Sequence, residues 1–413
     1  SFLLFFTAVI CLLCTPVEIV SFMCSLVAFS GSFQYRYALL ISMIALLAKR
    51  GIKKTNIRNV APVLFMMVWE LTHAAMSNLT LYGFLQEFSE LLALTILLID
   101  DPLDYSDGVP IRMFAYSSLF SCFMNLIAST NVLGFSIHSL TRLGKVGADI
   151  ADFQSLIDPN TMGFICVISI CSLLLVSYKG REKRSDKFIM LALFVFILLS
   201  QSKSALASIF IVFVLYFFLS EKRMVLSKKR IFRACFTAII ALLICFAFNN
   251  VVSAFFNRFK MGDISNGRIA IFAFYNMHLF YNMKNILFGI GLFDYNIQIT
   301  NIYEDLWMSY SGLAASRGDS IIYKPSHNNI QEILVVWGIV GIILVVFLIV
   351  RMIKHYPGKK EIVNYVPLLI LFIYGLQGEF LSSGVALMTL MFSQTCLEYL
   401  PIKRTIKKIK QTG

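Results

Sequence analysis

Long apolar segments recur along nearly the whole chain and are separated by short polar segments. A helix that crosses a bilayer needs roughly 20 mostly apolar residues. The pattern therefore predicts apolar helices at 2–14, 17–30, 36–48, 59–77, 81–99, 110–133, 161–178, 186–201, 203–219, 231–249, 329–350, 362–377 and 380–399. Because the first three are short, we expect about 12 transmembrane helices in one all-α, polytopic membrane domain that covers residues 1–413.

The composition supports a membrane protein, because 58% of the residues are hydrophobic, only 14% are charged and the mean hydropathy is +0.77. A soluble protein of this length needs far more polar surface. The first residues lack the charged segment and the cleavage site of a signal peptide, so we expect no cleavable leader. All nine cysteines lie in apolar segments, which disfavours a disulfide framework and a metal site built on cysteine.

Positive charge is concentrated in five short segments, which together hold 25 of the 36 lysine and arginine residues. When the apolar helices are threaded in order, all five segments fall on one side of the membrane. That side is the cytoplasm, because cytoplasmic loops are enriched in lysine and arginine. The net charge of +13 therefore reflects topology and attraction to anionic lipids, and not nucleic-acid binding. The five segments are 49–58, 179–187, 221–233, 351–360 and 403–410.

Two loops on the opposite, extracytoplasmic side are long. The first covers 134–160. The second covers 250–328, between late helices, and contains amphipathic segments that we expect to form helices at the membrane interface. Topology requires no positive charge on this side, so the cations there indicate an anionic substrate. They are Arg36, Arg142, Lys145, Lys203, Arg258, Lys260, Arg268, Lys284, Arg317 and Lys324.

Three of these cations lie in short motifs. Lys203 occupies a very short outer turn in SQSKSALASIF (200–210), where it is either an interfacial lysine that reaches the headgroups or a phosphate ligand. Arg258 and Arg268 flank a glycine-containing turn, and Arg268 opens an amphipathic segment. Arginine can bind phosphate oxygens through two parallel hydrogen bonds, although surface arginines also bind lipid headgroups. The FGIG sequence (288–291) predicts a tight turn, and it lacks the preceding strand that a nucleotide-binding glycine motif requires.

A histidine stands at the border between the large outer loop and a long apolar helix, in the sequence SHNNIQEILVVWGIVG. Asn328 or Asn329 is expected to cap this helix, with Gln331 or Glu332 as the capping partner three residues later. His327 then precedes the helix N-terminus, where the positive end of the helix dipole favours a neutral imidazole. A neutral histidine suits a general base, but an isolated histidine at this position is more often a cap or an interfacial side chain.

The order of these motifs along the chain carries a resemblance to a known family. SKSALA, RF, GR, FGIG and HNNIQEILVVWGIVG follow one another as in the O-antigen ligase and Wzy-type polymerase superfamily of bacterial polysaccharide assembly, which the chain resembles. The first outer loop, RLGKVGADIADFQSLIDPNTMG, also resembles the basic loop of that family, which closes on Pro-Asn. Lys203 stands where the family usually has arginine, so the charge is kept but the bidentate geometry is lost. In the last motif, Gly338 and Gly341 would let another helix approach closely.

The resemblance implies a fold of the GT-C type and a glycosyltransferase of the bacterial inner membrane, with its active site on the periplasmic side. Such enzymes transfer a glycan from undecaprenyl diphosphate to an acceptor hydroxyl, with inversion and without a metal or another cofactor. The resemblance assigns His327 as the catalytic base, Arg268 as the catalytic cation at the leaving diphosphate and Glu332 as a cap or supporting partner. The residues expected to bind the diphosphate and the glycan are Arg258, Lys203, Arg142, Lys145, Arg317, Lys324, Asn328 and Asn160.

Three activities fit these observations to different degrees. We favour a polymerase of O-antigen or capsular polysaccharide, whose acceptor is another lipid-linked repeat unit, because HNNIQEILVVWGIVG is closer to the polymerase-type motif. In an O-antigen ligase the acceptor is lipid A-core. A lipid-linked oligosaccharide flippase is disfavoured, because the chain shows no internal repeat and has one large outer loop. The expected partners are the undecaprenyl-diphosphate-linked glycan, membrane lipids and a chain-length regulator protein.

Overall fold

The structure is a computed structural model, and the part of the chain that it describes is entirely helical. The described residues are 2–29, 34–51, 61–76, 88–89, 91–93, 95–97, 102–132, 158–219, 268–291, 299, 301, 304, 326, 328–355, 361–375 and 385–399. They form α-helices and short 3₁₀ helices, with no strand among them. The all-α prediction is therefore confirmed for this part of the chain.

The α-helices are numbered here in chain order. The first eight are α1 (Phe2–Leu13), α2 (Pro16–Ser25), α3 (Tyr35–Arg50), α4 (Ala61–Met76), α5 (Val109–Val132), α6 (Pro159–Tyr178), α7 (Arg184–Ser200) and α8 (Lys203–Leu219). The later helices are α9 (Arg268–Tyr281), α10 (Met283–Phe288), α11 (Asn329–His355), α12 (Val366–Gly375) and α13 (Val385–Glu398). Two 3₁₀ helices, Leu26–Phe29 and Ile362–Tyr365, follow α2 and precede α12.

Three of the described helices are long and apolar enough to cross a membrane. They are Val109–Ser129 within α5, Pro159–Tyr178 and Asn329–His355. Shorter apolar helices accompany them, among them α1 and the segment Ile362–Gly375. The protein is therefore an integral membrane protein, as its composition predicts. The total of about 12 spans and the GT-C arrangement stay predictions.

The predicted apolar helices agree with the observed helices in the described part of the chain, with small differences at their ends. α11 continues past its predicted end at 350 to His355, so its last turn carries basic side chains, which suit the negative end of a helix. The same helix contains a break at Gly338 that the apolar pattern does not predict. The predicted helix at 231–249 lies outside the described residues.

One buried and one partly buried ion pair join helix ends near the basic segment 179–187. Arg112, at the start of α5, contacts Asp186 of α7 at 3.2 Å, and both side chains are buried. Lys179, which follows α6, donates a hydrogen bond to the Tyr399 carbonyl at 2.7 Å and pairs with Glu361 at 3.4 Å. Burial lowers the pKa of Lys179, even though Glu361 lies nearby. These contacts bring the described helix ends around the basic segment 179–187 together at one end of the bundle.

Close packing at the opposite end brings α6, α8 and α12 together. Asp158 caps α6 by accepting a hydrogen bond from the Thr161 N–H at 3.1 Å. The hydroxyl groups of Thr161 and Tyr374 of α12 are 3.3 Å apart. A Cβ at Gly163 would lie 2.8 Å from the Cβ of Ala205 in α8, so only glycine permits this approach. The ends of α6, α8 and α12 at the predicted outer face are therefore neighbours.

Candidate functional site

The helix that begins at Arg268 is bonded directly to the helix that begins at Asn329. Gln331, in the first turn of α11, donates two hydrogen bonds from Nε2, one to the Phe272 carbonyl at 2.9 Å and one to Asn276 Oδ1 at 2.8 Å. The Gln331 side chain is buried, and hydrogen bonds are stronger where water is excluded. This pair of bonds, the Gln331 bridge, fixes α9 against the N-terminal turn of α11.

Asn328 is the N-cap of α11, as one of the two sequence alternatives expects. Its Oδ1 accepts hydrogen bonds from the N–H groups of Ile330 at 2.9 Å and Gln331 at 3.2 Å. Ser326, on the other side of His327, is buried and donates a hydrogen bond to the Asn328 carbonyl at 3.1 Å. The side chain of Gln331, one of the two expected capping partners, bonds to α9 instead, because α9 offers it two acceptors.

α11 is broken at Gly338, whose φ of 64° and ψ of −157° lie outside the helical region. A break leaves carbonyl groups of the preceding turn without helical partners. The FGIG turn after α10 supplies donors, because Ile290 N–H bonds to the Val335 carbonyl and Gly291 N–H bonds to the Val336 carbonyl, both at 2.9 Å. FGIG is therefore the tight turn that the sequence predicts, and it satisfies backbone groups that a membrane interior would otherwise leave unbonded.

Two glycines allow the turn and the break to touch. A Cβ at Gly289 would lie 2.2 Å from a carbonyl oxygen of α11, and a Cβ at Gly338 would lie 2.4 Å from the backbone of α10. Residues 287–291 and 335–338 together form what we name the glycine clasp. The close approach of another helix that is expected at Gly338 therefore exists, and its partner is the end of α10 together with the FGIG turn that follows. Gly341 faces its own helix.

Two tryptophans and a glutamate tie the glycine clasp to α4. Trp69 Nε1 donates a hydrogen bond to the Phe288 carbonyl at 3.1 Å. Trp337 Nε1 donates one to Glu70 Oε1 at 2.7 Å, and both of these side chains are buried. A carboxylate inside an apolar helix is costly without such a donor. Glu70 and Trp337 therefore help to hold α4, α10 and α11 in one arrangement.

A buried histidine lies close to the Gln331 bridge. His278 is in α9, two residues after Asn276, which accepts one of the bridging hydrogen bonds. The Nε2 of His278 is 3.4 Å from Nδ2 of Asn285 in α10. Burial lowers the pKa of His278, because desolvation disfavours the charged imidazole. The helix that begins with Arg268 thus carries a histidine that is neutral at neutral pH.

Three of the predicted site residues lie in the bonded elements α9 and α11. Arg268 is the first residue of α9, which matches the amphipathic helix that the sequence predicts. Asn328 caps α11, and Glu332, in the first turn, is fully buried. The backbone N–H of Glu332 bonds to the Asn328 carbonyl at 2.8 Å. The Gln331 bridge therefore connects the helix that starts at Arg268 to the helix that is capped by the residue after His327.

Asn160 and Lys203 start two helices that pack together at the end opposite the basic segments. Asn160 lies in the first turn of α6, and Lys203 is the first residue of α8. The short outer turn that the sequence predicts at Lys203 consists of Gln201 and Ser202 instead, with Gln201 in the left-handed conformation at φ 51°. Gly163, one turn after Asn160, leaves room for this turn, because a Cβ there would lie 3.2 Å from the Cβ of Ser202.

The remaining predicted site residues lie outside the described part of the chain, and so do most of the two predicted outer loops. The described residues on either side of His327 are Ser326 and Asn328. The residues without a structural description are His327, Arg258, Arg142, Lys145, Arg317 and Lys324.

Two hydrogen-bonded contacts that hold this site are absent from the sequence predictions. They are the Gln331 bridge and the bond between Trp337 and Glu70. A signal for both exists, because an amide and a carboxylate inside apolar helices need partners. The identity of each partner is not readable from the sequence, because Glu70 and Trp337 are 267 positions apart.

Comparison with known proteins agrees with the order of the motifs. Residues 188–346 match the family model described as O-antigen ligase. The matched segment runs from α7 into α11, and it contains Lys203, Arg268, His327 and the glycine clasp. No curated protein matches the chain. Members of the matched family are glycosyltransferase-like enzymes that use lipid-linked glycans. The match over 188–346 supports the resemblance of this segment to the O-antigen ligase and Wzy-type superfamily.

Proposed function

We propose that the protein polymerises undecaprenyl-diphosphate-linked repeat units into O-antigen or capsular polysaccharide on the outer face of the inner membrane. The observation that carries this proposal is the Gln331 bridge between α9 and α11. The residues with the required chemistry stand at the bridged helix ends, because Arg268 begins α9 and His327 precedes the cap of α11. The family match over the same segment supports glycosyl transfer.

The spacing of the residues relates both chemical groups to the same bridge. Arg268 precedes Phe272, whose carbonyl accepts one of the bridging bonds, by four residues, and residues four apart share one face of a helix. At 1.5 Å per residue, the two positions are about 6 Å apart along the axis of α9. His327 precedes Gln331 by four residues in the sequence. We therefore propose that the bridge sets the separation between the catalytic cation and the catalytic base.

The proposed reaction is an inverting displacement at the anomeric carbon of the donor sugar. The hydroxyl oxygen of the acceptor forms a bond to this carbon, and the carbon–oxygen bond to the diphosphate breaks on the opposite side. His327 takes the proton that the hydroxyl loses. Arg268 binds the leaving diphosphate and neutralises its developing negative charge, with Arg258 and Lys203 as further cations. Undecaprenyl diphosphate is then the leaving lipid.

The second candidate function is that of an O-antigen ligase, and the description of the matching family favours it. A ligase would use the same donor and the same chemistry at the bridge, so only the acceptor differs. Its acceptor would be lipid A-core instead of a second lipid-linked repeat unit. A flippase has less support, because the matched family consists of glycosyltransferase-like enzymes.

Complementation separates these functions. The full chain is expressed in a strain that lacks its O-antigen polymerase and in a strain that lacks its O-antigen ligase, and the glycans are resolved on a gel. A ladder of glycan lengths in the first strain supports the polymerase. Restored attachment of glycan to lipid A-core in the second strain supports the ligase. If neither strain recovers, and a flippase-deficient strain does, glycosyl transfer is rejected.

Variants test the residues within the complementing strain. His327→Ala and Arg268→Ala should each abolish long-chain glycan and leave membrane insertion intact, because each removes a proposed reacting group and leaves the apolar helices unchanged. Lys284→Ala is the matched control, since Lys284 is an exposed cation of α10 without an assigned role. Normal ladders from both His327→Ala and Arg268→Ala would contradict the proposed roles.

A further inference from the structure

An apolar groove lies between α11 and α12, with a cavity volume of about 490 Å³. Ligand pockets in proteins enclose roughly 300–1,000 Å³, so the groove is large enough for a ligand. Its walls include Ile333, Trp337, Leu344 and Leu348 of α11, with Leu368 and Leu371 of α12. Nearly all lining side chains are apolar, which indicates a hydrocarbon ligand.

The groove follows α11 for most of the thickness of a membrane. Its lining residues in α11 run from Asn329 to Ile349 on both sides of the break at Gly338, and at 1.5 Å per helical residue this stretch spans at most about 30 Å. The hydrocarbon core of a bilayer is also about 30 Å thick, so a phospholipid acyl chain in one leaflet covers about half of it. A long polyisoprenoid chain matches the length of the groove better than an acyl chain does.

The groove is open sideways to the surrounding lipid. Ile330 and Val346 of α11 line it and are 41% and 53% exposed. Leu369 and Phe372 of α12 line the facing wall and are 40% and 55% exposed. Large apolar side chains with this exposure in a membrane protein face the lipid. A hydrocarbon chain can therefore enter the groove from the bilayer without passing through water.

The outer end of the groove lies beside the candidate functional site. Asn329, the residue after the cap Asn328, lines the groove and is 7% exposed. Within the described part of the chain, the Oδ1 atom of Asn329 has no hydrogen-bond partner. Buried polar atoms in folded proteins are normally bonded, so this amide points to a polar ligand group at the end of the groove. The Oδ1 atom accepts hydrogen bonds, so its partner must carry a donor such as a hydroxyl group, whereas a phosphate oxygen would bond to the amide N–H instead.

We propose that this groove binds the polyisoprenoid chain of the lipid-linked glycan donor, and that Asn329 Oδ1 accepts a hydrogen bond from a hydroxyl group at the head of this donor. The inference rests on the proposed function, because it takes the donor to be lipid-linked. With its chain in the groove, the donor has its diphosphate at the start of α11, the helix that His327 precedes in the sequence. The groove thus selects a long isoprenoid lipid and positions its head for transfer.

Photolabelling of the full chain in phospholipid nanodiscs tests this proposal. The probe is undecaprenyl phosphate with a diazirine in its isoprenoid chain, and a phospholipid with a diazirine in one acyl chain serves as the comparison. We expect the isoprenoid probe to label peptides of α11 and α12. Unlabelled undecaprenyl phosphate should remove this labelling, whereas added phospholipid should not.

Substitutions that fill the groove provide a second measurement. Val345→Trp and Leu371→Trp fill it from its two walls, whereas Ile343→Trp adds the same side chain on the lipid-facing surface of α11, where Ile343 is 63% exposed. We expect about a tenfold loss of competed labelling in the two groove variants, because displacing about two methylene groups weakens binding by that order. The control should label as the wild type does. Size-exclusion profiles show which variants are folded. If the groove variants are misfolded, competition by unlabelled undecaprenyl phosphate in the wild type still tests the proposal.

The outcomes separate the groove from the proposed reaction. Equal labelling of α11 and α12 by both probes, or competition by phospholipid, would overturn the proposal and leave bulk lipid as the occupant. Folded groove variants that label like Ile343→Trp would overturn it as well. Groove labelling in a protein that restores no glycan in any strain would keep the lipid site and reject the proposed glycosyl transfer.

Discussion

Replacement of Gly338 by alanine should open the glycine clasp. The φ of 64° and ψ of −157° belong to a region that glycine alone adopts freely, and a side chain there costs about 1–3 kcal/mol. The new Cβ would also lie 2.4 Å from the Leu287 backbone, so the FGIG turn must move away. That movement breaks the hydrogen bonds to the Val335 and Val336 carbonyls, each worth about 1 kcal/mol. The free energy of unfolding is therefore expected to fall by about 3–5 kcal/mol.

Gly51→Ala is the matched control for this change. Gly51 also has a positive φ, 76°, but a Cβ there would meet no atom within 4 Å. The control therefore contains the same kind of backbone strain, about 1–3 kcal/mol, without a steric clash. The difference in the free energy of unfolding between Gly338→Ala and Gly51→Ala isolates the contribution of the contact between the break and the FGIG turn.

Thermal unfolding of the purified variants in detergent, together with glycan ladders from complemented cells, measures both effects. We expect Gly338→Ala to have a lower Tm than Gly51→Ala and to form no long-chain glycan, because α9 and α10 lose their fixed position against α11. Gly51→Ala should keep a normal ladder. Equal Tm values and equal ladders for the two variants would refute the structural role of the clasp.

Three further predictions concern polar groups in the described part of the chain. Gln331→Leu keeps the side-chain size but removes both bridging bonds, so we expect the initial rate of chain growth in vitro to fall by about ten- to a hundredfold, equivalent to about 1–3 kcal/mol; an unchanged rate would count against the bridge. Arg112→Ala leaves the Asp186 carboxylate buried and unpaired, which should cost about 3–5 kcal/mol and lower the Tm, whereas Arg112→Ala combined with Asp186→Asn should recover part of the loss. The pKa of His278 is lowered in the folded state, so the unfolded state binds more protons and stability falls as pH drops below about 6.5. Between pH 7.5 and 5.5 the Tm of His278→Asn should therefore fall less than that of the wild type, and an equal fall in both proteins would contradict this.

Much of the helical framework is predictable, because the length of an apolar segment alone selects a membrane helix. The start of α11 is predictable too, since Asn328 precedes an apolar run and is a residue type that caps helices. The break at Gly338 is not, because a glycine in such a helix usually serves helix packing. The donors that complete the break, the N–H groups of Ile290 and Gly291, come from a distant part of the chain.

The chemistry of the candidate site is predictable only as a set of residue types. Arg268 and His327 attract attention because each stands beside a short motif at the predicted outer face. The contact that relates their helices is formed by Gln331 and Phe272, which are 59 positions apart. The pattern of apolar and polar residues predicts each helix by itself. The hydrogen bond between Gln331 and Phe272 depends instead on how α9 packs against α11. The structure therefore shows the contact between α9 and α11, whereas the sequence indicates only the chemical groups near it.

The measurement that tests the central claim most directly is the release of undecaprenyl diphosphate from a lipid-linked repeat unit by the purified full chain in nanodiscs, recorded together with glycan growth. We expect the wild type and Lys284→Ala to release undecaprenyl diphosphate in step with each new glycosidic bond. His327→Ala and Arg268→Ala should do neither. Release and chain growth at the wild-type rate in His327→Ala would contradict the proposed mechanism.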